Sequence, residues 1–150
     1  MPVPSPSRTW ALMLSAHAVL LAAMEQRLKA ADLPSLEWYD VLWALEQAPD
    51  HRLRMHSLAE RLLLTRFNVT RLVDRLERAG LVSRQKAKDD RRGADAVLTA
   101  KGRALRARMW PVYRTAIDEI FNQHLTAGQR QALEGMLEHL LQARRASGEE

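Results

Sequence analysis

The chain has 150 residues, 23 basic and 18 acidic, for a net charge of +5, and it contains no cysteine. This is the length of one ordinary domain, able to bury roughly 70% of the surface its unfolded form exposes. Without cysteine, disulfide staples, thiol catalysis, cysteine-based oxidant sensing and Cys-ligated zinc are excluded, and the composition suits a reducing compartment.

The net charge hides a segregation. From His51 to Thr115 there are 17 Lys and Arg against 6 Asp and Glu, a local +11, while the rest of the chain holds 6 against 12, or −6. Of the 23 cations 19 are Arg, which an arginine-rich proteome would explain. It would not explain a basic centre between acidic ends, which is the footprint of a polyanion-binding surface.

Pro2, Pro4 and Pro6 predict an extended tail over residues 1–8. The apolar run from Thr9 to Met24 has the length of a signal-peptide core, but its small-residue site falls inside the run and only Arg8 precedes it. It is also too short to span a bilayer. It reads as a buried helix from about Trp10 to Ala31, and the protein is expected in the cytoplasm, with the nucleoid. Its apolar positions cover more than one face, which suggests burial against a second element or a partner. Leu33-Pro34-Ser35 ends it, and Ser35 caps a second helix to about Gln47. Ala48-Pro49-Asp50 stops that one.

Two short helices follow. Leu58, Ala59 and Leu62 mark the first, and Val69, Leu72, Val73 and Leu76 form a helical stripe in the second. Thr65 suits its N-cap and Gly80 its C-cap. Strands are predicted at Leu81–Lys86 and Ala94–Thr99, joined by a polar loop with Gly93. Thr99 then caps a helix to about His124, with a kink expected at Pro111. Thr126 and Gln129 have capping-box spacing for a last helix to about Arg145.

The centre thus reads as helix, turn, helix and hairpin: a mainly α fold, a winged helix-turn-helix with a two-stranded β wing. An α-helix fits the major groove, where Arg pairs with guanine, Asn with adenine, and Thr or Phe touches a thymine methyl. Such proteins read with the first turns of the second helix, so Arg66, Phe67, Asn68, Thr70 and Arg71 are the base-reading candidates. Arg75 and Arg78 suit phosphates. The hairpin tip would carry Arg91 and Arg92 into the minor groove. Asp90 would hydrogen-bond a neighbouring arginine and fix the loop. The bland alternative for that tip is a charged, solvated turn.

At this point the residues resemble the MarR family of bacterial transcriptional regulators. The resemblance is carried by Leu58-Ala59, the run Val69 to Leu76, Gly80-Leu81-Val82, Arg84, Asp90-Arg91-Arg92, and Leu98-Thr99 with Gly102. It extends outward to Leu33–Leu45 and to the leucine-rich helix after Leu125-Thr126, about residues 10 to 145 in all. It implies a homodimer, with dimerisation helices over 9–32 and 100–146 and a DNA-binding lobe over 36–99. It implies a palindromic operator on double-stranded DNA, read by two recognition helices and two wings. Arg84, within the matching motif, and Ser57 and Thr65 complete the DNA-facing set. Arg92 matches the wing-tip arginine and Asp90 the aspartate that steadies the wing. Phe67 departs from the small polar residue usual there, so the operator sequence does not carry over.

Many members of the family are released from DNA by a small aromatic acid or phenol. Met13, His17, Trp38, Trp43 and Trp110 are candidates to line such a cleft, and His17, Arg27 and Trp38 are the effector-binding candidates. Trp and Met at helical spacing are more often core, and a lone His is more often a satisfied core residue. His17, His51, His56, His124 and His139 lack metal-ligand spacing, and no nucleophile–base pair or phosphate loop is present. No cofactor, metal or enzymatic activity is expected. The sequence leaves two alternatives to an effector-released repressor: a sequence-indifferent architectural DNA binder, and a winged helix that binds protein only.

Overall fold

The computed structural model describes residues 6–62, 66–88 and 92–148. Among these residues six helices and three short strands follow in the order α1 (Pro6–Ala30), α2 (Leu36–Gln47), β1 (Arg52–Arg54), α3 (Met55–Leu62), α4 (Arg66–Arg78), β2 (Val82–Lys86), β3 (Ala94–Leu98), α5 (Ala100–Ile120) and α6 (Ala127–Ala146). Single 3₁₀ turns lie at Pro49–His51 and Asn122–His124. The mainly α winged helix-turn-helix expected from the sequence is the fold observed.

The chain forms two compact units, one of Met24–Tyr113 and one of Met1–Ala23 with Arg114–Glu150. The first unit holds a continuous core. Val41, Leu42 and Leu45 of α2, Leu58 and Ala59 of α3, and Val69, Leu72, Val73 and Leu76 of α4 meet Leu81, Val82 and Ala96 of the sheet. A smaller cluster joins Leu28, Tyr39 and Met109. In the second unit Ala116 is the one buried residue among those described.

The wing is a three-stranded antiparallel sheet in the order β1-β3-β2, not the two-stranded hairpin read from the sequence. β1 pairs Leu53 with Ala96, and β2 pairs Arg84 with Ala96 on the other edge. A strand of Arg-Leu-Arg is too short to show a period of two. Its alternation is nonetheless functional, since Leu53 packs against the core while Arg52 and Arg54 share the other face.

Three local expectations need correction. α1 begins at Pro6, so residues 6–8 are helical and not extended. Proline is compatible with a helix start, because its missing N–H has no intrahelical partner there. Ser35 sits at the N-cap of α2 but makes no side-chain cap bond. The Leu36 amide instead donates to the Glu25 carboxylate at 2.9 Å. α5 stops at Ile120, four residues short of the predicted end, while Pro111 lies inside it as expected.

The junction that carries the wing is closed by local caps. Gly80 ends α4 with φ +76°, a conformation L side chains rarely adopt. The Thr99 hydroxyl donates to the Gly80 carbonyl at 2.7 Å and accepts from the Gly102 amide at 3.0 Å. Gly102 is obligatory by close approach, since a Cβ there would lie 2.1 Å from the Leu81 carbonyl oxygen. One threonine therefore ties the end of α4 to the start of α5.

Candidate nucleic-acid interface

The helix-turn-helix is built by opposite faces of α4. Val69, Leu72, Val73 and Leu76 point into the core, and Asn68, Thr70, Arg71, Arg75 and Arg78 stand exposed on the other side. This is what a 3.6-residue period demands when every apolar position is buried. The cations along the exposed face are the expected complement of a phosphate backbone.

Two grooves flank that face. The first, about 440 Å³, is lined by Asn68, Arg71, Leu72, Asp74, Arg75 and Arg78 of α4 with Glu37 of α2. Arg75 Nη2 lies 3.8 Å from Glu37 Oε2, and both side chains are more than half exposed. A pair this open contributes about 0–1 kcal/mol, so Arg75 can exchange Glu37 for a phosphate at little cost. The second groove, about 430 Å³, is lined by Arg54, Met55, His56, Thr70, Arg92, Gly93 and Ala94. It brings the wing, the start of α3 and α4 onto one surface. Arg54 was not singled out in the sequence, and His56 was weighed only as a metal ligand. The signal was the Arg-x-Arg alternation at 52 and 54, legible only once β1 is known to be a strand.

The wing is anchored by a buried carboxylate. Asp95 on β3 accepts from Arg52 Nε at 2.8 Å, and Arg54 Nε lies 3.8 Å from its other oxygen. Arg52 also donates to the Lys86 carbonyl at 3.2 Å, joining both strand neighbours of β3. The guanidinium of Arg54 occupies the space where a Cβ on residue 93 would stand, so Gly93 is the seat of that arginine.

Among the candidates, Arg92 is exposed at the turn before β3 and Ser57 is half-buried on α3. Arg84 lies on β2 with its guanidinium turned to α4, where it meets Asp74, Glu77 and the Thr70 carbonyl. Thr65, Asp90 and Arg91 lie outside the described residues, as do the side chains of Arg66 and Phe67, whose backbone begins α4.

A MarR family model matches residues 31–93. The homoprotocatechuate degradative operon repressor of Escherichia coli is 30% identical over 132 residues, 86% of this chain and 84% of that protein. The HTH-type transcriptional regulator PapX of Escherichia coli is 31% identical over 103 residues, 69% of this chain and 62% of PapX, so the match spans about three fifths of that relative. The MarR family regulator Sco3205 from Streptomyces coelicolor, solved in complex with DNA, superposes with a TM-score of 0.86 at 26% identity, covering 95% of this chain and 93% of that one. The chain belongs to the MarR family.

In this MarR-family chain the effector candidates are spread over both units. His17 is exposed on α1 within the unit that includes α6. Arg27 is exposed and Trp38 half-buried in the other unit, where Trp38 packs against the main core. Trp43 and Trp110 belong to a separate aromatic group: each stacks on Tyr39, at centroid distances of 6.5 and 6.3 Å, and Tyr113 meets both Tyr39 and Trp110 edge-on. Arg106 lies over the Trp43 ring at 5.0 Å and pairs with Glu46. Burial pushes the Tyr39 and Tyr113 phenols up. Beside them the Asp40 carboxyl is pushed up to about 6, chiefly by loss of water around it and then by the charges of Glu25 and Glu37. No group of three potential metal ligands occurs among the described residues, and no described helix is long and apolar enough to cross a membrane.

Proposed function

We propose that this chain is a sequence-specific DNA-binding transcriptional regulator that binds a palindromic operator as a homodimer and represses from it. The observation that carries the reading is the exposed face of α4, with Asn68, Thr70, Arg71 and Arg75 beside a groove that also holds Arg54 and Arg92. Asn68, Thr70 and Arg71 lie in the first turns of the helix and read base edges, with Arg66 and Phe67 beside them. Arg75, Ser57 and Thr65 hold phosphates. Arg91 and Arg92 enter the minor groove, and Asp90 steadies the loop. Support for the repressor sense comes from the homoprotocatechuate degradative operon repressor, and for the duplex partner from Sco3205, solved on DNA.

The dimer is supported by apolar surface that the single chain leaves in water. Trp10, Leu12, Leu14 and Val19 on α1 and Met136, Leu137, Leu140 and Leu141 on α6 are all exposed. Large apolar side chains left exposed in this number mark an interface. A twofold dimer presents two recognition helices to two half-sites, and the operator is then a palindrome. Release by a small aromatic or phenolic effector completes the reading, with His17, Arg27 and Trp38 as its contacts. As a cytoplasmic protein it would act at the nucleoid.

The test is selection. The dimeric protein, offered a randomised duplex pool, enriches one palindrome and prefers it to the unselected pool by a factor of about 10³ or more. Equal binding to both pools would identify a sequence-indifferent architectural protein instead.

A further inference from the structure

We infer that Arg84 is a positioning residue which sets the recognition helix against the wing and offsets part of the negative charge of Asp74 and Glu77, because its guanidinium and amide engage Thr70, Asp74 and Glu77 of α4. The inference rests on the DNA-reading surface proposed above and goes beyond it, giving Arg84 a role other than phosphate contact.

Thr70, Asp74 and Glu77 are spaced i, i+4 and i+7, so they line one edge of α4. Arg84 sits across from that edge on β2. Its Nη1 donates to Asp74 Oδ1 and lies 3.5 Å from Glu77 Oε1. Its Nη2 donates to the Thr70 carbonyl at 3.2 Å. Its backbone amide donates to Glu77 Oε2 at 2.9 Å. The planar fork of Arg holds a carboxylate and a carbonyl together, whereas a lysine ammonium offers one point charge. The side chain is half-buried, at 28% exposure, and both of its terminal nitrogens donate to α4.

Two consequences follow. Asp74 lines the groove on the exposed face of α4, among Arg71, Arg75 and Arg78. Left alone, Asp74 and Glu77 would repel an approaching phosphate backbone, and Arg84 offsets them before DNA arrives. Thr70 also borders the groove shared with Arg92. A guanidinium fixed to the Thr70 carbonyl therefore holds the base-reading turn at a set distance from the wing. Arg84 acts on sequence discrimination through the helix without touching a base.

A double-mutant cycle separates this role from a direct contact. The probes are a duplex selected by the wild-type protein from a randomised pool, and the unselected pool. Arg84→Gln is expected to lower affinity for the selected duplex by about tenfold or more. In an Asp74→Asn/Glu77→Gln background the same substitution should cost less than about threefold. The salt dependence should keep its slope in Arg84→Gln, since no phosphate contact is lost. Arg84→Lys, which keeps the charge, covers the case in which Gln unfolds the protein. With a wild-type melting profile it should still lose discrimination between the two pools. An equal loss in both backgrounds, with the log–log salt slope reduced by about one, makes Arg84 a phosphate ligand and overturns the inference. Wild-type discrimination in Arg84→Lys overturns it as well. If the wild-type protein selects no duplex, the DNA-reading proposal itself falls and takes this inference with it. If the wild type binds and the cycle is additive, only the role of Arg84 falls.

Discussion

α4 and α6 carry similar apolar stripes and treat them differently. In the Met24–Tyr113 unit, α4 buries Val69, Leu72, Val73 and Leu76 to 2% exposure or less against α2, α3 and the sheet. In the other unit α6 leaves Met136, Leu137, Leu140 and Leu141 between 43% and 58% exposed. The periodicity that predicts an apolar helix face is the same in both. What differs is whether the chain itself supplies the cover. One unit is complete as a folding core, and the other is complete only if something outside the single chain covers it.

Charging the exposed stripe of α6 should have the largest consequence. Leu137→Glu with Leu140→Glu should leave the Met24–Tyr113 core intact and convert a dimer to a monomer in sedimentation velocity. Joining two half-site contacts multiplies apparent affinity by about 10²–10⁴, so binding to a selected palindrome should fall by that order. If the stripe were merely solvated, both substitutions would be near neutral, within about 0.5 kcal/mol. A dimer that survives them would put the subunit contact elsewhere.

The converse substitution tests the closed unit. Leu76→Ala removes a side chain with no exposed surface and should destabilise the chain by about 2–5 kcal/mol, read as a lowered melting temperature. Leu140→Ala should move the melt of a dilute sample more than that of a concentrated one, because its cover comes by mass action. On the exposed side of α4 the effects are smaller and move binding, not folding. Arg71→Ala should cost about 1–3 kcal/mol on a selected duplex and blur one base position. Arg75→Ala should weaken all sequences alike and lower the salt slope by about one. If Arg71→Ala left both affinity and preference unchanged, α4 would not be the reading helix.

Which features were legible in the sequence follows from the distance over which each is decided. The α4 stripe, the Gly80 cap, the Thr99 cap and the Thr126–Gln129 capping box all depend on neighbours within a few residues, and all are present. The Leu36 amide is met by Glu25, eleven residues away, so a local rule named Ser35 instead. β1 is three residues long and exists because β3, more than forty residues on, offers it an edge. Arg52 and Arg54 were visible as charge, but their pairing with Asp95 was not. For Arg84 the family motif supplied the residue, and the structure supplied its neighbours on α4.

Acidic charge is already crowded in the closed unit, and pH should move its stability slightly. Asp40 keeps solvent contact, yet its carboxyl is pushed from 3.8 up to about 6, chiefly because its surroundings displace water and secondarily because Glu25 and Glu37 share the site. The folded form thus holds the Asp40 proton more tightly than the unfolded chain does. Below about pH 4 both forms are protonated and no penalty exists. As pH rises from about 4 to about 6, the unfolded chain ionises first and stability falls; above about 6 the penalty is constant. Asp40→Asn carries no such penalty. Its melting temperature should therefore gain on the wild type between pH 4 and 6 and hold that gain at pH 7, by a modest amount because solvent screens the site. A constant difference across that range would mean that Asp40 titrates normally. Since desolvation outranks the neighbouring charges, Glu37→Gln should narrow the window without closing it.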